Sequence, residues 1–162
     1  AGFGTHSRTS IFDYIGVPNH QRWMNGGKFD GGQLSQGEKE LRDFYKRLLN
    51  FSINSSALMG NFQEIQTANR NITPGYDIAI YSYTRWSDTQ KLIVVTNFYS
   101  LASSNFELRI PADIIQKWNL KDGTYTITDQ LYHNKTTQLK VENGEGKAQI
   151  SIGPSESFIF QL

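Results

Sequence analysis

Acidic side chains in the first third of the chain could supply a general acid and a general base, because paired carboxyl groups can deliver and accept protons at a reacting bond. Glu40 and Asp43 lie three residues apart in a helical pattern and therefore share one face. Lysines and arginines surround them, which is typical of a solvated, salt-bridged helix surface. We predict no catalytic residue in this chain. The carboxylates considered are Asp13, Asp30, Glu38, Glu40 and Asp43.

Histidines and hydroxyl groups show no spacing that predicts a nucleophile or a metal site. Ser7, Asp13 and His20 could be combined into a triad, but no nucleophile elbow or oxyanion loop accompanies them. There is no His-x-x-x-His pair and no Asp-x-Asp-x-Asp-Gly calcium loop. The chain also lacks cysteine, which excludes thiolate ligands. The sequence predicts neither a metal nor a cofactor.

The charges of the chain are nearly balanced, with 16 basic and 15 acidic residues and a formal net charge of +1. This balance gives no electrostatic attraction to nucleic acid or to an anionic membrane surface. No apolar run approaches the ~20 residues of a membrane-spanning helix. We therefore expect neither nucleic acid nor a membrane as a partner. The first residues lack Met and the features of a signal peptide, and they predict a chain processed or cut from something longer.

One helix stands out before residue 60. Ser35-Gln36-Gly37-Glu38 is a capping box, in which Ser35 accepts from the third helical amide and Glu38 reaches back to the cap. An apolar stripe at helical spacing follows, and the polar cluster at 50–56 should end the helix. Residues 1–34 are rich in glycine without an apolar period, which predicts a long irregular loop. The stripe consists of Leu41, Phe44, Tyr45, Leu48 and Leu49.

After Gly60 the apolar pattern changes to that of strands. The apolar run at 92–95 indicates a strand covered on both sides. Asn143-Gly144 between two strand patterns predicts a hairpin turn, and Pro111 begins a single helical turn. Short strands at this spacing predict an antiparallel sandwich or barrel. The predicted strands are 61–66, 77–86, 90–99, 104–110, 123–131, 135–142, 146–152 and 156–162.

Two stretches carry motifs that resemble one known family. The first consists of 8–14 (RTSIFDY), 29–33 (FDGGQ) and the helix at 41–49, followed by 56–62 (SALMGNF). In order and spacing these motifs resemble the family 13 glycoside hydrolases, the α-amylase superfamily. They are similar to the segment after the eighth barrel strand, the eighth barrel helix and the transition into the C-terminal domain.

The second stretch is similar to the C-terminal sandwich of that family. It runs from 80–86 (IYSYTRW) through 92–98 (LIVVTNF) to 154–160 (PSESFIF). The family's aspartate nucleophile, glutamate acid/base and second aspartate follow barrel strands four, five and seven. The resemblance therefore implies that they lie upstream of the segment matched here. A barrel needs about 200–250 residues, whereas only about 58 precede the predicted sandwich.

Aromatic rings in the 1–34 segment are the candidate substrate contacts. The resemblance places this segment beside the mouth of the active site, where a sugar can stack on a ring, and it makes Tyr14 and Trp23 the candidates. We favour the alternative that these rings and Phe29 anchor the loop by packing. A second ring cluster raises the same choice, and there too we favour packing. It consists of Tyr81, Tyr83 and Arg85, which alternation puts on one strand face, with Trp86 beside them.

Together these patterns predict a mainly β chain. An antiparallel β-sandwich of about eight strands occupies 59–162, preceded at 1–58 by the last loop and helix of a (β/α)8 barrel. The resemblance implies a non-catalytic C-terminal region that stabilises or caps the barrel of an α-amylase-like enzyme acting on α-glucans. The alternatives are a carbohydrate-binding module for starch or maltooligosaccharides and a protein-interaction domain. The expected partners are that barrel, an α-glucan oligosaccharide and a second copy of the chain. The compartment stays open among periplasmic, secreted and cytoplasmic.

Overall fold

A computed structural model describes residues 17–132 and 135–162. The chain divides into two compact units, of which one ends at Leu48 and the other runs from Leu49 to Leu162. The predicted boundary between a barrel remnant at 1–58 and a sandwich at 59–162 stays a prediction. Tyr14 lies outside the described residues.

The first unit contains a short helix inside the segment that was predicted to be an irregular loop. Helix α1 (Pro18–Met24) has a proline in its first turn, where the fixed φ of proline suits the helix. Asn25 ends it in the left-handed conformation, and a 3₁₀ turn (Asn25–Gly27) follows. Seven residues are too few to show a helical period in the sequence, which is why this helix was not foreseen.

Helix α2 (Gln36–Asn54) is the predicted amphipathic helix, and its capping box forms. The Ser35 N–H donates to Glu38 Oε2 (2.8 Å), and the Glu38 N–H donates to Ser35 Oγ (3.4 Å). The helix ends at Asn54, inside the polar cluster that was expected to end it. The side-chain amide of Asn54 donates to the Asn50 carbonyl at 2.8 Å.

Eight antiparallel strands of the second unit form one curled sheet, which confirms the predicted fold class. The sheet order is β1-β2-β3-β8-β5-β6-β7-β4, so that β1 and β4 are its edge strands. A 3₁₀ turn (Ser56–Met59) precedes the sheet, and helix α3 (Ala112–Lys117) joins β4 to β5. The strands are β1 (Asn61–Glu64), β2 (Ile80–Trp86), β3 (Lys91–Asn97), β4 (Ser104–Ile110), β5 (Gly123–Asp129), β6 (Thr136–Glu142), β7 (Glu145–Ile152) and β8 (Ser157–Gln161).

The core lies inside the curl of the sheet. Buried and exposed residues alternate along β7, as expected for a strand with one solvated face. By contrast, Leu92 to Val95 of β3 are all buried, which confirms the prediction that this strand is covered on both sides. Trp118, directly after α3, closes one part of the core and is 3% exposed. The largest core side chains include Phe106, Leu108, Ile110, Ile127, Leu139, Phe158 and Phe160.

The hairpin between β6 and β7 forms where the Asn-Gly pair predicted it. Asn143 and Gly144 both have positive φ (52° and 77°), as the central residues of a type I′ turn require. The Asp122 carboxylate accepts from both of their backbone amides, at 3.0 and 3.1 Å. The prediction of this turn is confirmed.

A long loop between β1 and β2 is held against the edge strand β4 by one buried side chain. The Asn69 side-chain amide donates to the carbonyls of Ile65 (2.8 Å) and Arg109 (2.9 Å). Its carbonyl accepts from the Arg109 N–H (2.8 Å) and from Thr73 Oγ1 (2.9 Å). Asn69 is fully buried, and each of its hydrogen-bonding atoms has two partners. This one residue therefore fixes a loop that has no regular structure of its own.

Candidate functional site

Of the two candidate substrate contacts, Tyr14 and Trp23, the described part of the chain includes Trp23. It lies on α1, is partly exposed, and its ring meets the Phe29 ring edge-on, with centroids 5.6 Å apart. The Gly31 N–H donates to the Trp23 carbonyl at 2.9 Å, and Gly31 has a φ of 71°, a conformation that favours glycine. Trp23 is thus part of a tight local turn, in keeping with the packing alternative. Its contact with a sugar stays a prediction.

Glu38 joins α1 to α2 through an ion pair as well as capping α2. Arg22 Nε donates to Glu38 Oε2 at 3.1 Å, and Arg22 Nη2 pairs with Glu38 Oε1. This two-point contact matches the planar guanidinium to the carboxylate. The hydrogen bond from Arg22, followed by those from Ser35, lowers the pKa of Glu38 to about 2. Glu38 therefore stays ionised at neutral pH and is unsuited to donate a proton.

We expect the Arg22–Glu38 pair to break only in strong acid. Because the folded-state pKa of Glu38 lies below its ordinary value of 4.5, the pair stabilises the first unit above about pH 4.5. That contribution is lost as the pH falls towards 2. The Arg22 Nε–H resonance, followed by NMR, should shift with a midpoint near pH 2.

The matched controls for this titration are two neutral variants. In Glu38→Gln the Arg22 Nε–H resonance should show no acid transition. In Glu40→Gln the transition should persist, because Glu40 accepts from Gln36 (2.8 Å) and has no described bond to Arg22. A midpoint between pH 4 and 5 in the unmodified chain would contradict the ion pair, since this is the range of an unperturbed glutamate.

Asp30, another of the candidate carboxylates near the start of the chain, also has a structural role. Asp30 accepts from the Asn25 side chain and from the Gly32 N–H, both at 2.8 Å, and these bonds lower the pKa of Asp30.

Among residues 17–132 and 135–162, no group of three or more His, Asp or Glu is placed to hold a metal ion. In the same part of the chain, no helix is long and apolar enough to cross a membrane.

An aromatic face forms on β1 and β2, as the alternation predicted. The Tyr83 ring lies between those of Phe62 (5.5 Å) and Tyr81 (5.7 Å), and the Arg85 guanidinium lies 5.9 Å from the Phe62 ring centre. Burial raises the pKa of Tyr83. Trp86 packs edge-on against Trp118 in the core, at 6.5 Å. The rings of Phe62, Tyr81 and Tyr83 therefore contact one another, whereas Trp86 packs against the core.

Arg85 has a second set of contacts that ties the aromatic face to the 3₁₀ turn. Its Nε donates to the Ala57 carbonyl (3.3 Å), and its Nη2 donates to the carbonyls of Leu58 and Gly60. These carbonyls belong to the 3₁₀ turn and to Gly60 directly after it, through which the chain enters the sheet. The guanidinium is therefore committed to backbone, and Arg85 acts here as a structural residue.

One exposed cluster of apolar side chains is not predicted from the sequence. Ile78, Phe98, Tyr99 and Leu101 lie on two neighbouring loops at the end of β3 and are 77%, 71%, 48% and 80% exposed. The Phe98 N–H donates to the Ala79 carbonyl at 3.0 Å, which joins the two loops. We call these four residues the β3 tip. The sequence pattern places Ile78 in the predicted strand 77–86 and Phe98 and Tyr99 in the predicted strand 90–99, whereas the structure places all three in loops.

Comparisons with known proteins identify the class of fold. No family model and no curated protein sequence matches this chain. Among solved structures, AmyP in complex with maltotriose has a TM-score of 0.55 at 18% identity, over 79% of this chain and 22% of that one. The maltogenic α-amylase AmyB from Thermotoga neapolitana has a TM-score of 0.53 at 11% identity, over 80% and 27%. An Anoxybacillus α-amylase has 0.51 at 16% identity, over 76% and 22%.

The matched structures are α-amylase-family enzymes, so the predicted resemblance is confirmed at the level of the fold. This chain spans about a fifth to a quarter of the length of the amylase structures that it matches.

Proposed function

We propose that this chain is the non-catalytic C-terminal region of an α-amylase-type glycoside hydrolase acting on α-glucans, in which it stabilises the catalytic barrel. The observation that carries the proposal is the match of most of this chain to a small part of several amylases. The same matches support the substrate class, since AmyP was solved with maltotriose and with maltose.

The roles of the acidic residues support the absence of catalysis. Hydrolysis of a glycosidic bond needs two carboxyl groups about 5–10 Å apart across the substrate. Glu38 is paired with Arg22 and caps α2, while Asp30 closes a turn. Neither is available as one member of such a pair. The catalytic groups would then belong to the barrel of the full enzyme.

The apolar stripe of α2 supports a role in stabilising a barrel. Four residues spaced by four positions along the helix are largely exposed: Leu41 (58%), Tyr45 (53%), Leu49 (61%) and Ile53 (79%). Phe44 and Leu48 are partly buried. An exposed stripe of this length is typical of a helix that packs against another part of the protein. We propose that the barrel covers it.

Leu49→Asp tests this proposal through its dependence on the barrel. In the chain alone the change should leave the Tm almost unaltered, because Leu49 already faces water. In the chain joined to its barrel it should lower the Tm by several degrees, since burying a leucine contributes about 1.5–3 kcal/mol. The measurement is thermal unfolding of both proteins. Lys39→Asp, on the charged side of the helix, is the matched control and should have little effect in either.

Activity supplies the second readout of the same experiment. The chain alone should release no reducing sugar from starch or maltooligosaccharides, whereas the joined protein should do so. Turnover that co-purifies with the chain alone would contradict the non-catalytic assignment. Equal destabilisation by Leu49→Asp in both proteins would contradict the barrel contact.

A further inference from the structure

The β3 tip is held rigidly although its side chains face water. Asn97, which is 1% exposed, donates through Nδ2 to the carbonyls of Ala102 and Gly153, each at 2.9 Å. Its Oδ1 accepts from the Tyr99 N–H at 2.9 Å. The Ser155 N–H donates to the Tyr99 carbonyl at 3.0 Å. The backbone that presents Phe98 and Tyr99 is therefore fixed before any ligand arrives, which reduces the entropic cost of binding.

The β3 tip lies far from the 3₁₀ turn through which the chain enters the sheet. The 3₁₀ turn and Ser55 before it contact the turn between β2 and β3, through the bond between Ser55 Oγ and Gln90 (2.7 Å) and that between Ser56 and Ser87 (2.8 Å). The tip follows the other end of β3. A strand of seven residues is about 20 Å long. The exposed rings are thus not explained by the packing that surrounds the 3₁₀ turn.

The side chains around the tip suit a neutral, hydroxyl-rich ligand. Residues 97–105 contain no charged side chain and include three serines, at 100, 103 and 104. On the neighbouring loop, Asp77 accepts from the Ala79 N–H (2.9 Å), and Arg70 donates to the Ile78 carbonyl (3.1 Å). These two charges are opposite in sign and already bonded to backbone. A third loop bonds to the tip through Ser155, and its Glu156 is paired with Lys135 at 2.9 Å. Among the described residues of these loops, the basic side chains form no cluster for phosphate or an anionic lipid surface.

We propose that the β3 tip is a binding site for α-glucan chains, in which the Phe98 and Tyr99 rings contact the apolar faces of successive glucose units. Serine hydroxyls and loop carbonyls at the rim supply hydrogen-bonding groups for the sugar hydroxyls. Exposed aromatic rings combine a large apolar surface with little entropy to lose on binding. The choice of glucan as the ligand rests on the proposed function, whereas the site itself rests on the geometry of the loop.

The test is a titration of the 162-residue chain with maltoheptaose, followed by NMR of the backbone amides. We expect saturable shifts confined to 77–79 and 97–105, and a Kd that weakens roughly tenfold in Phe98→Ala, since tenfold corresponds to the loss of one good ring contact. Phe98→Ala should keep the Tm of the parent chain because the side chain is 71% exposed. Phe62→Ala removes another exposed ring, on β1, and should bind maltoheptaose as the parent chain does.

Three results of the NMR experiments would overturn the site. They are the absence of shifts at millimolar maltoheptaose, shifts that Phe62→Ala abolishes while Phe98→Ala does not, and equal shifts with zwitterionic lipid vesicles. Self-association through the tip, detected as a concentration-dependent mass that Phe98→Ala removes without any glucan effect, would overturn it as well. None of these results bears on the barrel contact of Leu49, so failure of this site is distinguishable from failure of the proposed function.

Discussion

Replacing Asn69 with alanine is expected to lower the free energy of unfolding by roughly 3 kcal/mol or more. The side chain is fully buried and bonds to both backbone groups of Arg109, to the Ile65 carbonyl and to the Thr73 hydroxyl. Removing it leaves several buried polar groups without partners, and each such group costs about 1–3 kcal/mol. The effect should therefore exceed that of an ordinary lost hydrogen bond.

Urea unfolding followed by circular dichroism measures this change. Thr73→Val is the graded control, because it removes only one of the four bonds of Asn69 and should cost about 1 kcal/mol. A loss below about 1 kcal/mol in Asn69→Ala would show that water can replace the amide. The loop between β1 and β2 would then not depend on this residue.

Phe158→Ala is expected to cost about 3–5 kcal/mol, the range for truncating a buried aromatic ring to alanine. Phe158 is 1% exposed, and its ring lies 5.2 Å from that of Phe160 and 6.3 Å from that of Tyr132. The Lys135 ammonium lies 4.3 Å from the Phe158 ring centre. β8 pairs with both β3 and β5. Loss of this ring should therefore loosen the centre of the sheet.

The same substitution at an exposed ring gives the matched comparison. Phe98→Ala removes an equal number of atoms from a side chain that is 71% exposed, and it should change the unfolding free energy by less than about 0.5 kcal/mol. The two variants are compared by thermal and urea unfolding. Similar losses in both would contradict the assignment of Phe158 to the core and of Phe98 to the surface.

The strands could be predicted from sequence because each has a local signal. Each signal lies within a stretch of about ten residues: the β-branched and aromatic runs, the apolar run at 92–95 and the Asn-Gly turn. The structure places a strand in each predicted region. Strand ends were less accurate, and the error at the end of β3 has a physical cause. Asn97 ends β3 by bonding to Ala102 and Gly153, and contacts of this kind leave no trace in a local pattern.

The candidate sites were harder to predict for the same reason. The role of Asn69 depends on Arg109, 40 residues away, and the ion pair of Glu38 depends on a helix too short to recognise. The exposure of Phe98 and Tyr99 was hidden because an apolar pair after a strand normally continues it. Local sequence patterns did indicate the correct class of fold, since alternation and turn chemistry are properties of neighbouring residues.

The loop held by Asn69 also bears on how the chain avoids aggregation. β4 is an edge strand, and an open edge offers unpaired amides and carbonyls to which another chain could add a strand. Asn69 occupies both free backbone groups of Arg109, and a Cβ atom at Gly75 would lie only 2.3 Å from the Asn105 carbonyl, so the loop runs tightly along this edge. The opposite edge strand, β1, is only four residues long. Loosening the loop would therefore expose a seven-residue template for intermolecular β-pairing, and solubility would fall even where the native sheet survived.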